Sequence, residues 1–353
     1  MNIAVHTADR SGYAEVFVTS TAVAAAEADD VFAAIATALA TCGAEPFAER
    51  VYGGLPVRER LLDARRRQFA AHDLDTEGPV SFIDGSPLGG GDFAGVQVEG
   101  VRSVQGPAVR TVPGGRLWQG PTFRMLHLFG VTGSPSDPVT VQAQQMFAAA
   151  AAAARAHGFD YRQSVRTRIY LARLLDWYGE FNRVRSGAYR AYDFAFPAST
   201  GIQGRAGDAE CTMDVLLLDG VRCDPIDRTA RQGPARAYGS SFSRGMQITH
   251  EGGVTVHVSG TASIDPAGRS LHPDDPAAQF AETLLDIGAV LEQAGMSLTD
   301  IRQATLFCKD ERAYAACQQV RRLLGVPAFP TVAVHADVCR PELLVEMEAI
   351  ACR

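Results

Sequence analysis

Lysine is nearly missing from this chain: Lys309 stands alone among 33 basic residues, and the rest are arginine. Schiff-base or pyridoxal chemistry would have to use that one residue, in FCKD at a strand end. A GC-rich coding sequence produces the same bias, so arginine abundance by itself marks no anion site. Other signatures are absent too. No GxxxxGK[ST] phosphate loop occurs, and the glycine-rich SPLGGGDFAG (Ser86 to Gly95) opens no helix and reads as a loop. There is no GxSxG nucleophile elbow. The eight histidines show no HExxH and no paired Cys/His spacing, so no metal is expected. His257 and His335 are lone strand histidines of the kind that serve packing. The seven cysteines form no CxxC pair and leave one over, which fits reduced thiols and a cytoplasmic protein. No apolar run is long enough to cross a bilayer, and MNIAVHTADRSGYAEVF lacks the layout of a signal peptide. A net charge of −7 argues against a nucleic-acid or membrane-surface partner.

What is present is repetition. Three helices, from Asp29, Ala143 and Ala277, run to Gly43, Gly158 and Gly295, and glycine takes the left-handed conformation after a helix without a Cβ clash. Strands follow at AERVYG (from Ala48), VRTRIYL (from Val165) and IRQATLF (from Ile301). Second helices start at Arg58, Leu174 and Glu311, and closing strands at Gly95, Cys211 and Leu343. The copies open on EVFVTSTAVA, LHLFGVTG and GGVTVHVSGTASID, each a strand-and-turn pattern.

The expected fold is α+β, with three fused β-β-α-β-α-β units of about 110 residues, a size above the solenoid range. The boundaries read as 1–105, 106–222 and 236–353, with linkers at Gly106-Pro107-Ala108 and at Cys223 to Ala237. Two helices cover one sheet face per unit. The open faces then close on one another around a pseudo-threefold axis, as three chains do in a homotrimer. The chain is therefore expected to be a monomer with inequivalent clefts.

The last closing strand carries two carboxylates. Period-2 alternation puts Glu346 and Glu348 on one face, with Val345, Met347 and Ala349 on the other. Such a pair marks either a solvated edge strand or a cleft acid of raised pKa. Laid over the first copy, Glu346 falls on Gln97 and Glu348 on Glu99, and over the second, Glu346 falls on Met213 or Asp214. In the second copy Arg166, Arg168 and Tyr170 share a strand face, either solvated or turned to a ligand. Tyr178, Phe181, Asn182 and Arg185 share a helix face, the spacing of a core stripe or of a cleft wall. Ser199, Thr200 and Gly201 would offer hydroxyls and backbone N–H groups to a carboxylate.

The ending FPTVAVHADVCRPELLVEMEAIA (Phe329 to Ala351) resembles the RidA/YjgF family of small trimeric proteins. Together with RTRIYLARLLDWYGEFNRVR (from Arg166), FPASTGIQGRAG (from Phe196) and SGTASI (from Ser259), it is similar to the chorismatases, over about residues 120 to 353. That resemblance implies conversion of chorismate to pyruvate plus a hydroxybenzoate, with Glu346 as the catalytic acid and no cofactor. Cys339, seven residues before it, goes with 3-hydroxybenzoate formers. Hydrolysis to a dihydroxycyclohexadiene carboxylate, and a RidA-like enamine/imine hydrolase, stand as alternatives. RidA proteins carry an arginine after the Phe/Pro turn, where this chain has Pro330-Thr331-Val332. The substrate-binding set expected is then Arg166, Arg168, Tyr170, Tyr178, Arg185, Ser199, Thr200, Gly201, Gly260 and Cys339.

Overall fold

The computed structural model describes residues 2–21, 24–106, 108–120, 122–192, 196–205 and 207–353. Pro107 of the first expected linker, Ala22 and Val23 of the first opening strand, and Ala206 of the FPASTGIQGRAG string lie outside the described residues.

Three sheets of five, six and six strands carry the chain. The first unit runs β1 (Asn2–Arg10), β2 (Tyr13–Thr21), α1 (Ala28–Cys42), β3 (Glu45–Gly53), α2 (Arg58–Ala70), β4 (Ser81–Asp84) and β5 (Phe93–Ser103). The second adds a leading strand: β6 (Val109–Val112), β7 (Gly115–Gln119), β8 (Arg124–Thr132), α3 (Val139–Ala156), β9 (Ser164–Leu171), α4 (Leu174–Ala191), β10 (Ala198–Gln203) and β11 (Cys211–Asp219). The third repeats that plan: β12 (Arg222–Ile226), β13 (Gly245–His250), β14 (Gly253–Ala262), α5 (Pro276–Glu292), β15 (Ile301–Cys308), α6 (Glu311–Leu323), β16 (Thr331–His335) and β17 (Val345–Cys352).

In each sheet the closing strand lies centrally, between the strand before the first helix and the strand after it, as β17 lies between β14 and β15. The three fused α+β units are thus present, with one strand more than the sequence pattern gives in the first unit and two more in each of the others. β4, β10 and β16 are short and pair in parallel at the sheet edge. Their six residues or fewer follow a proline or loop and carry too little alternation to be read alone. The stretch Cys223 to Ala237 is not a free linker. Its first residues pair as β12 on β13, and a short 3-10 turn, Ala235–Tyr238, follows.

Each pair of helices packs on its own sheet around an apolar core, such as Phe32, Ile35 and Leu39 of α1 on Val16, Val18 and Val98. The opposite faces meet at the centre. Tyr52, Tyr170 and Phe307, one from each unit, cluster there with Ile83, Ile202 and Val334. In their parallel pairs they face those residues one to one, so the three tyrosine/phenylalanine positions are equivalent under the pseudo-threefold. That equivalence corrects the strand alignment. Phe307 pairs with Glu346 and Thr305 with Glu348, while Tyr52 pairs with Gly95, Arg50 with Gln97, Tyr170 with Thr212 and Arg168 with Asp214. Glu346 therefore matches Gly95 and Thr212, and Glu348 matches Gln97 and Asp214. The sequence overlay was off by two residues in the first copy and by one or two in the second, and a two-residue slip preserves the facing of every side chain and so leaves no trace in the periodicity.

Candidate active site

A cleft opens where the second and third units meet. The β10 strand of one unit lies against β14 of the next, and Ser199 N–H donates to Ser259 Oγ at 2.9 Å. The cleft holds about 720 Å³ of empty volume, open solvent at its mouth included. Glu346 forms part of its wall, with Tyr178, Asn182 and Arg185 from α4, Ser199 and Gly201 from β10, and Gly260 from β14. Loops of the third unit supply Tyr238, Phe242, Arg244, Cys339 and Arg340.

β17 is a central strand, so the pair Glu346 and Glu348 does not face solvent; they are 4% and 3% exposed. Their surroundings separate them. Glu348 accepts from Arg166 and from Arg168 (Nε at 3.0 Å), and from the Thr200 hydroxyl. Burial works against its charge, but Arg168, Arg166 and Arg50 outweigh that and hold it down at about 2. Glu346 has no hydrogen bond or ion pair among the described residues. Burial first, and then the neighbouring Glu348 anion, push its carboxyl up to about 8. Two carboxylates on one strand face thus take opposite protonation states at neutral pH, the arrangement that separates an acid from a permanent anion.

Gly260 makes room for this. A Cβ there would stand 2.1 Å from Glu346 Oε1, closer than any side chain tolerates. The Gly260 N–H donates to Thr200 Oγ1 at 3.0 Å, which links this bulge of β14 to the Glu348 network. Cys339 borders the cleft as a neutral thiol, pushed up to about 12 by burial and by Glu346.

Three guanidinium groups, Arg185, Arg244 and Arg340, line the same cleft as the acid. None forms an ion pair among the described residues. They are held by neutral partners instead: Arg185 by Asn182 Oδ1 at 2.6 Å, Arg244 by the Gly233 carbonyl at 2.8 Å, and Arg340 by Ser270 Oγ at 3.1 Å. Aromatic faces complete the support. Phe242 lies beneath Arg185 and Arg244, at 5.6 and 5.5 Å, and Tyr238 beneath Arg244 and Arg340, at 5.3 and 5.7 Å. With Glu346 neutral, this wall carries an uncompensated positive charge inside a protein whose net charge is −7.

The structure brings Tyr178, Arg185, Ser199, Gly201, Gly260, Cys339 and Glu346 of the expected set into one cleft. Four others lie elsewhere. Arg166 and Arg168 sit behind the wall, committed to Glu348, with Arg168 also 3.6 Å from Glu99. Tyr170 faces a different cavity, between the first and second units, beside Ser81 and Asp214. Thr200 is buried between Arg166 and Glu348 rather than on the wall. Phe181 of the helix stripe turns into the core. Arg244 and Arg340 were missed because each follows a loop without periodicity. The adjacency of Arg340 to Cys339 was the one available signal. The single lysine, Lys309, donates to the Pro341 carbonyl at 2.7 Å, outside the cleft.

Comparison with known proteins places this architecture. Residues 237–353 match the family described as endoribonuclease L-PSP. A 2-iminobutanoate/2-iminopropanoate deaminase of Capra hircus is 31% identical over 98 residues, which is 28% of this chain and 72% of that protein. A RutC family protein of Pyrococcus abyssi is 33% identical over 97 residues, 27% of this chain and 76% of that one.

The chain belongs to the endoribonuclease L-PSP family.

Sequence similarity to the family lies in the third unit, the one that holds Glu346. The whole pseudo-trimer is matched by fold: a crystal structure of a chorismatase aligns over 87% of this chain and 93% of that chain, with a TM-score of 0.65 and 16% identity. One α+β plan is therefore repeated three times here, and of the three matching positions Gly95, Thr212 and Glu346 only the last bears a carboxyl.

Proposed function

We propose that the chain is an enzyme that releases pyruvate from chorismate, with Glu346 as general acid and 3-hydroxybenzoate as the favoured second product. The observation that carries this reading is the neutral, buried Glu346 carboxyl in one cleft with three guanidinium groups that have no carboxylate partner among the described residues. Chorismate is a dianion with an acid-sensitive enolpyruvyl ether, and the cleft offers both of the things it needs. Bidentate arginine suits each carboxylate. The likeness in fold to a chorismatase supports the same substrate.

In this mechanism Glu346 gives its proton to the methylene carbon of the enolpyruvyl group. A C–H bond forms, the alkene electrons move, and an oxocarbenium ion remains, stabilised by the Glu346 carboxylate just generated. If water adds to that carbon, the hemiketal collapses to pyruvate and a dihydroxycyclohexadiene carboxylate, and Glu346 recovers its proton from the water. If the ring hydroxyl attacks the ring carbon that bears the ether, the C–O bond to the pyruvyl fragment breaks, pyruvate departs, the hydroxyl proton returns to the Glu346 carboxylate, and the epoxide-like intermediate aromatises to 3-hydroxybenzoate with no water consumed. Cys339, a small neutral thiol at the wall, favours the second course by leaving the cleft apolar beside the acid.

The test is product analysis. Chorismate incubated with the protein should give pyruvate, detected through lactate dehydrogenase, and an equal amount of 3-hydroxybenzoate by mass and NMR. No pyruvate from folded protein would defeat the proposal. The names of the relatives support a second reading, an enamine/imine hydrolase. A faster semicarbazone signal with an amino-acid imine than pyruvate signal with chorismate would favour that one.

A further inference from the structure

A second cleft lies at the junction of the third and first units, at the place related to the candidate active site by the pseudo-threefold. On α6, Tyr314, Gln318 and Arg321 face it. They repeat the spacing of Tyr178, Asn182 and Arg185 on α4. Thr331 and Ala333 of β16 stand where Ser199 and Gly201 stand on β10, since Val334 and Ile202 occupy matching places in their parallel pairs. This cleft is larger, with about 1010 Å³ of empty volume, open solvent included.

Two differences set its chemistry. Gly95 occupies the position that Glu346 fills in the other cleft, and no carboxylate is among the described residues that line the wall. It also has one guanidinium in place of three. Arg321 makes no ion pair among the described residues, and its Nε is buried with no hydrogen-bond acceptor. One Nη reaches Thr331 Oγ1 at 3.3 Å, and the ring of Phe329 lies 4.6 Å from the guanidinium carbon. Burial without an anion lowers the pKa of Arg321. A half-buried cation of this kind gains from any anion that enters. The rest of the wall sets apolar Leu88, Ala94, Leu306 and Phe329 beside the neutral polar Asn2, Thr19 and Thr21.

We infer that this second cleft is a non-catalytic binding site for a small monocarboxylate with an apolar or aromatic body. One fork of donors matches one carboxylate, the apolar part of the wall, Leu88, Ala94, Leu306 and Phe329, takes the ring, and the absence of an acid at the Gly95 position leaves nothing to donate a proton. The inference stands on the geometry of this cleft and holds whether or not chorismate is the substrate of the other.

The experiment uses the whole chain and 3-fluorobenzoate as probe, followed by fluorine NMR titration. Wild type should bind saturably. Arg321→Gln, which removes the cation, and Ala333→Leu, which fills the cleft and keeps the cation, should each weaken binding tenfold or more. Arg185→Gln, in the other cleft, should retain the event lost in Arg321→Gln. Absence of saturable binding in wild type overturns the inference. So does binding of wild-type strength in Ala333→Leu, or loss in Arg185→Gln alone. If Arg321→Gln does not fold, Ala333→Leu decides between these outcomes.

Discussion

Glu346 and Glu348 are two residues apart and chemically alike, yet their contacts assign them opposite tasks. Three arginines stabilise the charge on Glu348, while Glu346 has burial and an adjacent anion. The linkage follows from the direction of each shift. The folded pKa of Glu346 is raised, so its neutral form adds stability that is complete below the ordinary carboxylate range and is lost as the pH rises through about 8. Each unit of elevation corresponds to about 1.4 kcal/mol. Glu346→Gln keeps the neutral shape and cannot ionise. It should abolish turnover, and it should melt above wild type at pH 9, with the two curves converging below pH 5; a constant gap across that range would contradict the assignment. For Glu348 the folded pKa is lowered to about 2, so its contribution is present above the ordinary range and fades as the pH falls toward 2. Glu348→Ala leaves Arg166 and Arg168 facing each other without their shared anion. It should cost about 3–5 kcal/mol in a denaturant titration; a loss below 1 kcal/mol would place the cations in water.

At the scale of the element, alternation on β17 correctly put both carboxylates on one face, and glycines ended the first helices near the expected positions, with Gly43 at φ 61° after α1. Register was not legible. Closing strands are separated from their partners by loops of different length, and a two-residue slip conserves facing, so only the observed pairing distinguishes Gly95 from Gln97 as the partner of Glu346. Periodicity also revealed that Arg166 and Arg168 share a face, but not that Glu348 of another unit fills the space in front of them. Gly260 lies within β14, at the bulge where its pairing with β17 shifts register between Val258 and Thr261. Gly260→Ala sets a methyl group 2.1 Å from the acid. The carboxyl must then swing, and the ratio of hydroxybenzoate to dihydroxycyclohexadiene product should change while the melting temperature falls by only a few degrees. An unchanged ratio at unchanged rate would mean that the acid position is not fixed by this contact.

For the whole molecule, fusing the units lets each junction differ, which a homotrimer cannot do. One junction has the acid and three cations. Another has one cation and no acid. The junction of the first and second units has Asp214 buried beneath Ser81, with Thr212 at the Glu346 position. Part of the seam there is ionic: Glu49 of β3 lies between Arg65 of α2 and Arg116 of β7, both at 2.7 Å and all three buried. Arg116→Ala should lower stability by about 3 kcal/mol or more, because it strips a buried carboxylate of one partner; thermal denaturation checks this, and an unchanged midpoint would contradict it. The internal threefold also predicts a monomer by light scattering, since the three open sheet faces already cover one another; a stable trimer would refute that.

The most direct measurement is titration of the Glu346 carboxyl itself, by carbon-13 NMR or infrared difference spectra between wild type and Glu346→Gln. The account predicts a carboxyl that remains protonated through neutral pH, with a midpoint near 8. A midpoint near 4.5, the value of an exposed glutamate, would contradict it, because the cleft would then hold an anion where the chemistry needs an acid.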